Sequence, residues 1–213
     1  MTRVHGLWIG VLLAMALATV WFTRRTAQGV VPGIFIDNRI RLSLSQLQMT
    51  LWMLVVLSLL IAVFVARFIA GVAEFMDVHI PGELLIAMGI SLSSGATAVA
   101  IKAGKDVKGV DIRERGDGPH LHQLYYVEEG KDPTPESVDV TRFQNLWLTI
   151  IVLLGYITMA WTYLGANPDP VSLTALPGFN DTLVTLFGIS HAGYVAGKMP
   201  DRSKTATGQG VRN

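Results

Sequence analysis

Arg67, His191 and the serines Ser91, Ser94 and Ser190 are the residues whose types could carry chemistry in this chain, because each falls inside a long apolar run. Ionisable groups at membrane depth are functional candidates by default, since burying charge there is costly. Arg67 sits near the end of one such run with Glu74 seven positions on, which places both on one helical face, and Glu83 follows nearby. Snorkelling of its guanidinium to the interface is the plain account. Pairing with Glu74 or Glu83 along a polar path is the sharper one. His191 is the one histidine in an apolar run outside the N-terminal segment and could act as a proton relay. A hydrogen-bonding role in helix packing is the commoner fate of such a residue.

Elsewhere the chemistry is thinner. His120 and His122 alternate, as two metal ligands on one strand face would, yet no third ligand stands near them, so no metal site and no cofactor is expected. Cysteine is absent, which excludes thiolate zinc sites and cysteine nucleophiles. No apolar run holds paired carboxylates, a metal cluster or a nucleophile beside a base, so no catalytic residue is assigned and an enzyme is the least favoured class.

The elements that must position these residues are five apolar runs, about Leu7–Phe22, Leu47–Ile69, Leu84–Ile101, Leu146–Leu164 and Thr182–Gly197. Threaded alternately through a bilayer, they leave segments 23–46, 102–142 and 198–213 on one side. Those segments hold 15 of the 17 Lys and Arg residues. Acidic Glu74, Asp77, Glu83, Asp169 and Asp181 dominate the opposite connections. Basic residues stay on the cytoplasmic side, so the expected fold is all-α and integral to the membrane, with five spans, N-terminus out and C-terminus in. Composition agrees: 51% of residues are hydrophobic and only 15% charged, against about 25% charged in a soluble domain. Segregated charge of this kind indicates membrane orientation and no nucleic-acid surface.

The first run resembles a signal peptide in having Arg3 before it and Ala14, Ala16 and Ala18 toward its end. Arg24 and Arg25 outweigh Arg3, so an uncleaved span is expected. The fifth run is short, about 16 residues or roughly 24 Å against a hydrocarbon core of about 30 Å. A re-entrant segment is the alternative there.

An internal repeat organises the remainder. Gln48 matches Gln144, Val56 matches Val152, and Trp52 and Trp147 fall within one position of each other. Each copy continues through a connection bearing Pro81 or Pro177 into a second run ending Gly-Ile-Ser, at residues 89–91 and 188–190. Both copies start inside, so they are parallel repeats, two helical hairpins with the first span added at the periphery. The expected units are a first span and inner connection (1–41), a first hairpin (42–102), an inner loop (103–140), a second hairpin (141–198) and a disordered tail (199–213).

Small residues in the Gly-Ile-Ser runs supply close helix contact where lipid provides no hydrophobic drive. Gly89 and Gly95 in the first copy, and Gly188, Gly193 and Gly197 in the second, are the expected packing positions. In the inner loop, 107–115 and 120–129 around Gly116-Asp117-Gly118 read as a β-hairpin facing solvent or a partner. Lys131–Ser137, with Pro133 and Pro135, reads as a linker. The pattern Ser43-Leu-Ser-x-Leu-Gln-x-x-Leu-Trp52, a Pro-bearing turn, then Leu85-x-Ala-Met-Gly-Ile-Ser91 resembles uncharacterised bacterial multi-span membrane proteins. That resemblance covers about 37–101, more weakly 141–198, and implies a bacterial cytoplasmic-membrane protein with no activity attached. A non-enzymatic, homo-oligomeric scaffold presenting the inner loop to a cytoplasmic partner needs only these features. The alternative is a small channel or transporter subunit whose path runs along Arg67, Ser91, Ser94, Ser190 and His191.

Overall fold

The computed structural model describes residues 2–23, 33–36, 41–107, 119–126 and 138–199. Five α-helices account for most of them: α1 (Arg3–Thr23), α2 (Leu44–Ile69), α3 (Gly82–Val107), α4 (Val140–Ala166) and α5 (Asp181–Lys198). Four of these, α1 to α4, are long and apolar enough to cross a membrane. The fifth is the departure from five equal runs. It is the shortest of the five, 18 residues unbroken, and is not among the helices apolar enough to cross.

Each helix boundary follows from its local sequence. Asp139 caps α4 by accepting from the Thr141 and Arg142 amides at 3.0 and 3.2 Å, and Asn180 caps α5 through Thr182 at 2.8 Å. Such caps satisfy amides that a helix start leaves orphaned. Pro81 precedes α3, and its carbonyl accepts from Leu84 and Leu85. At the other end of α2, Gly71 adopts φ +77°, while the Gly71 and Val72 amides return to the Phe68 and Arg67 carbonyls. This left-handed glycine closes the helix, because a side chain there would strain the backbone.

The two hairpins, α2–α3 and α4–α5, share one core, and α1 packs mainly on α2. At its centre Trp52 meets Tyr156, Phe179 and Phe187 with ring centroids 6.1, 5.7 and 5.8 Å apart. Tilted and edge-on contacts of this kind contribute about 0.5–1.5 kcal/mol each. The outer faces are apolar too: Leu85, Ile86, Ile151, Leu154 and Ile189 are all at least half exposed. A chain that turns such residues outward on several helices is built to meet something other than water.

The connections after α2 and α4 are tied together. His79 and Ala175 form a parallel β-bridge, with the His79 amide donating to Thr174 O at 2.8 Å and the Leu176 amide to His79 O at 2.9 Å. These two residues are 96 positions apart, as are Gln48 and Gln144, or Pro81 and Pro177. Gly178 backs onto the Pro81 ring so closely that an added Cβ would lie 2.9 Å from Pro81 Cβ.

On the opposite side, the described part of the 103–140 loop departs from the expected hairpin. Leu121–Leu124 is a 3-10 helix rather than a strand, and no strand occurs among the described residues. Its cause is Gln123, whose Oε1 accepts from both the His120 amide (3.1 Å) and the Leu42 amide (2.8 Å), pulling the segment into a tight turn against the start of α2. Arg142 Nη1 donates to Tyr126 O at 2.8 Å and the Asp139 amide to Tyr125 O at 2.9 Å. Leu124 thus joins a second small core with Leu42, Leu44, Ala98 and Tyr194. The first strand of the expected hairpin, its Gly-Asp-Gly turn, the 131–137 linker and the 200–213 tail lie outside the described residues.

Candidate functional site

Six buried polar residues gather in one layer near the start of α2. Gln48 Nε2 donates to Thr149 Oγ1 at 2.7 Å and, more weakly, to Asn145 O at 3.4 Å. Ser190 Oγ donates to Asn145 Oδ1 at 3.3 Å, and Ser45 Oγ shares a hydrogen bond with Tyr194 Oη at 2.9 Å. These contacts link α2 with α4, α4 with α5, and α2 with α5. All six residues are buried, Asn145 completely. Interhelical hydrogen bonds away from water contribute on average about 0.6 kcal/mol and up to about 1.7. The layer therefore fixes the register between the hairpins more than it stabilises either one.

Of the expected path residues, Ser190 belongs to this layer. Ser91 and His191 are buried at 2% exposure, and the His191 ring lies edge-on to Phe187 with centroids 4.2 Å apart. The side chain of Ser94 lies outside the described ones. Arg67 stands apart from all of them. Nineteen residues separate it from Gln48, about 28 Å along a helix. Between them Trp52, Leu59, Ala62, Val63, Tyr156 and Phe187 are each no more than 2% exposed. The structure thus brings Ser190 and His191 together on α5 and leaves Arg67 at the far end, with an apolar and aromatic seal between.

Arg67 is not ion-paired along a path. Its Nη1 donates to Leu173 O at 2.9 Å and its Nη2 to Glu74 O at 3.0 Å, so both bonds go to main-chain carbonyls, one in each of the connections after α4 and α2. The residue as a whole is 5% exposed. It clamps the two loops that the His79–Ala175 bridge also joins.

The glycines divide in the same plain way. Gly95 is buried, and a Cβ built on it would meet Met49 Sδ at 2.5 Å; Gly188 would place one 3.4 Å from Ile90 Cδ1. Gly193 and Gly197 are exposed, with only Thr141 Cγ2 at 3.9 and 4.0 Å, and Gly89 has nothing within 4 Å. We expect Gly95→Leu to lower stability by about 1–3 kcal/mol through overpacking, and Gly89→Leu to leave it within about 0.5 kcal/mol. Denaturant midpoints of the two variants in the same detergent check this, and equal midpoints contradict it.

Sequence reasoning passed over Asn145, Thr149, Ser45 and Tyr194. A signal was present: Asn145 and Thr149 stand four apart, on one face of an otherwise apolar helix. Three buried groups in the seal and the layer, Asn145 Nδ2, Trp52 Nε1 and Tyr156 Oη, have no hydrogen-bond partner among the described residues. His120 and His122 stack with ring centroids 5.3 Å apart. No group of three or more His, Asp or Glu residues is placed to hold a metal among the described residues.

The geometry defines a helical protein with four apolar helices of membrane-spanning length, compatible with a multi-pass membrane protein. Comparison with protein-family models, curated proteins and solved structures finds no match to this chain.

Proposed function

We propose that the chain is a non-enzymatic scaffold or anchor of the bacterial cytoplasmic membrane, with α1 to α5 all spanning, the N-terminus outside and the C-terminus inside. Its role is to hold the 103–140 loop at the inner surface for a cytoplasmic protein partner. The observation that carries this reading is the seal: the buried polar layer is engaged in hydrogen bonds within and between the hairpins, and tilted and edge-on aromatic rings separate it from Arg67. A protomer packed in this way holds a shape rather than opening a pore. Supporting it on the inner side, Gln123 and Arg142 pin residues 119–126 to the starts of α2 and α4.

The second reading, a channel or transporter subunit, is favoured by one observation only. Gly89, Gly193 and Gly197 face outward with room for a second copy, so a path would run between protomers. Mass measurement and low-resolution imaging in mild detergent separate the two: a ring with a central polar opening supports the channel, whereas a dry dimer or a monomer removes it.

Topology has its own test, free of background because the chain has no cysteine. In intact cells Ser137→Cys is expected to resist an impermeant thiol reagent, while Ser172→Cys, on an exposed turn, is expected to react. Labelling of Ser137→Cys before lysis reverses the orientation.

A further inference from the structure

A cavity of about 390 Å³ lies between α2 and α3, within the size range of small-molecule sites. Its lining is almost wholly apolar and includes three methionines, Met49, Met53 and Met88. Trp52 also lines it, at 2% exposure. On the rim, Met53 and Leu92 are 36% and 50% exposed, so the cavity opens sideways off the bundle and not into its interior. Near the start of α2, Gln46 contributes a polar end, with its Oε1 buried and unpartnered.

We infer that this cleft holds one acyl chain of a phospholipid, with the glycerol end at Gln46. The inference rests on the membrane reading above, because both helices that form the cleft are of spanning length and hydrocarbon is then the medium at its mouth. Water is excluded as the filling: an apolar cavity offers it too few polar partners. Leaving the space empty forfeits the dispersion contacts of every lining atom. Methionine suits a chain with no fixed shape, since its unbranched thioether side chain adjusts to what it packs against. In the second hairpin the methionine lining is not repeated. The repeat-equivalents of Met49 and Met53 are Asn145 and Thr149, which belong to the polar layer, and the equivalent of Met88 is the buried ring of Phe187. One cleft per protomer is therefore expected, on the first hairpin alone.

Trp52 is the built-in reporter. With Trp8, Trp21, Trp147 and Trp161 replaced by Phe, the protein is reconstituted in phosphatidylcholine bilayers brominated at mid-chain, and Trp52 emission is compared with that in unbrominated lipid. Bromine quenches only near contact, so a buried Trp52 is quenched strongly, by about half or more, only if a chain enters the cleft. Narrowing the rim with Met53→Phe and Leu92→Phe, both at exposed positions, is expected to abolish most of that quenching. Absence of quenching, or quenching that survives the rim double variant, overturns the proposal. Native mass spectrometry of the unaltered chain gives an independent readout, in which one phospholipid is retained per protomer and lost in the rim variant; a chain that retains none is equally decisive against it. Because bromines occupy both leaflets, none of these outcomes depends on orientation, which thiol labelling at positions 137 and 172 reads separately.

Discussion

Arg67→Leu is expected to lower stability by about 3–6 kcal/mol, since it removes two hydrogen bonds from a charged donor, each of which is typically about 1.5–3 kcal/mol. The acceptors, Leu173 O and Glu74 O, lie in the connections after α4 and α2, so the loss is felt by both hairpins at once. Arg67→Lys should recover only part of it. A single ammonium cannot reproduce the planar fork that addresses two carbonyls together. Unfolding followed by tryptophan fluorescence in detergent, with increasing SDS, gives the order native, Lys, Leu. A Leu variant with the native midpoint would show that the clamp contributes nothing.

The second large effect is expected at Trp52. Truncation to Ala empties the place where Tyr156, Phe179 and Phe187 converge, and large aromatic truncations in cores cost about 3–5 kcal/mol. Trp52→Phe should behave quite differently. It keeps a ring at the junction and removes an indole N–H that is buried without a partner, a group whose burial itself carries a penalty of about 1–3 kcal/mol. A gap of at least about 2 kcal/mol between the Ala and Phe variants is therefore expected in the same SDS titration. Equal losses would mean that the N–H, and not the ring, matters at this position.

These residues also show what the sequence makes legible. The apolar runs predict all five helices, α5 to within one residue at either end and the others to within about six, because a stretch of such length with almost no charge has few alternatives. The starts of α4 and α5 are set by Asp139 and Asn180, which the apolar pattern does not single out, but the extent of each helix is legible. Rotation of each helix about its axis is not. Gly193 and Gly197 read as packing positions, yet they face outward, while Gly95, expected on the same grounds, does lie against Met49. When both the core and the surroundings are apolar, hydrophobic periodicity loses the contrast that marks an inner face in a soluble protein. Arg67 fails for a different reason. Its spacing to Glu74 is visible, but the bond runs to the main-chain carbonyl and not to the carboxylate, and its other acceptor is 106 residues away. The Gln123 turn is hidden likewise, since the amide it captures at Leu42 is remote in sequence.

The way α1 is held bears on the order in which the chain assembles. Its contacts are concentrated at one end: Val4, His5 and Trp8 are buried, whereas Leu13, Leu17, Trp21 and Phe22 are each more than half exposed. Trp8 Nε1 donates to Ser58 Oγ at 3.1 Å, and His5 Nε2 hydrogen-bonds Trp161 O at 2.9 Å. During synthesis the first of these partners emerges about fifty residues after Trp8, but the second only after α4 is nearly complete. The seating of α1 is thus split in time: α2, its main partner, is made well before α4, so the helix can dock on α2 early while the His5–Trp161 tie closes only once α4 is in place.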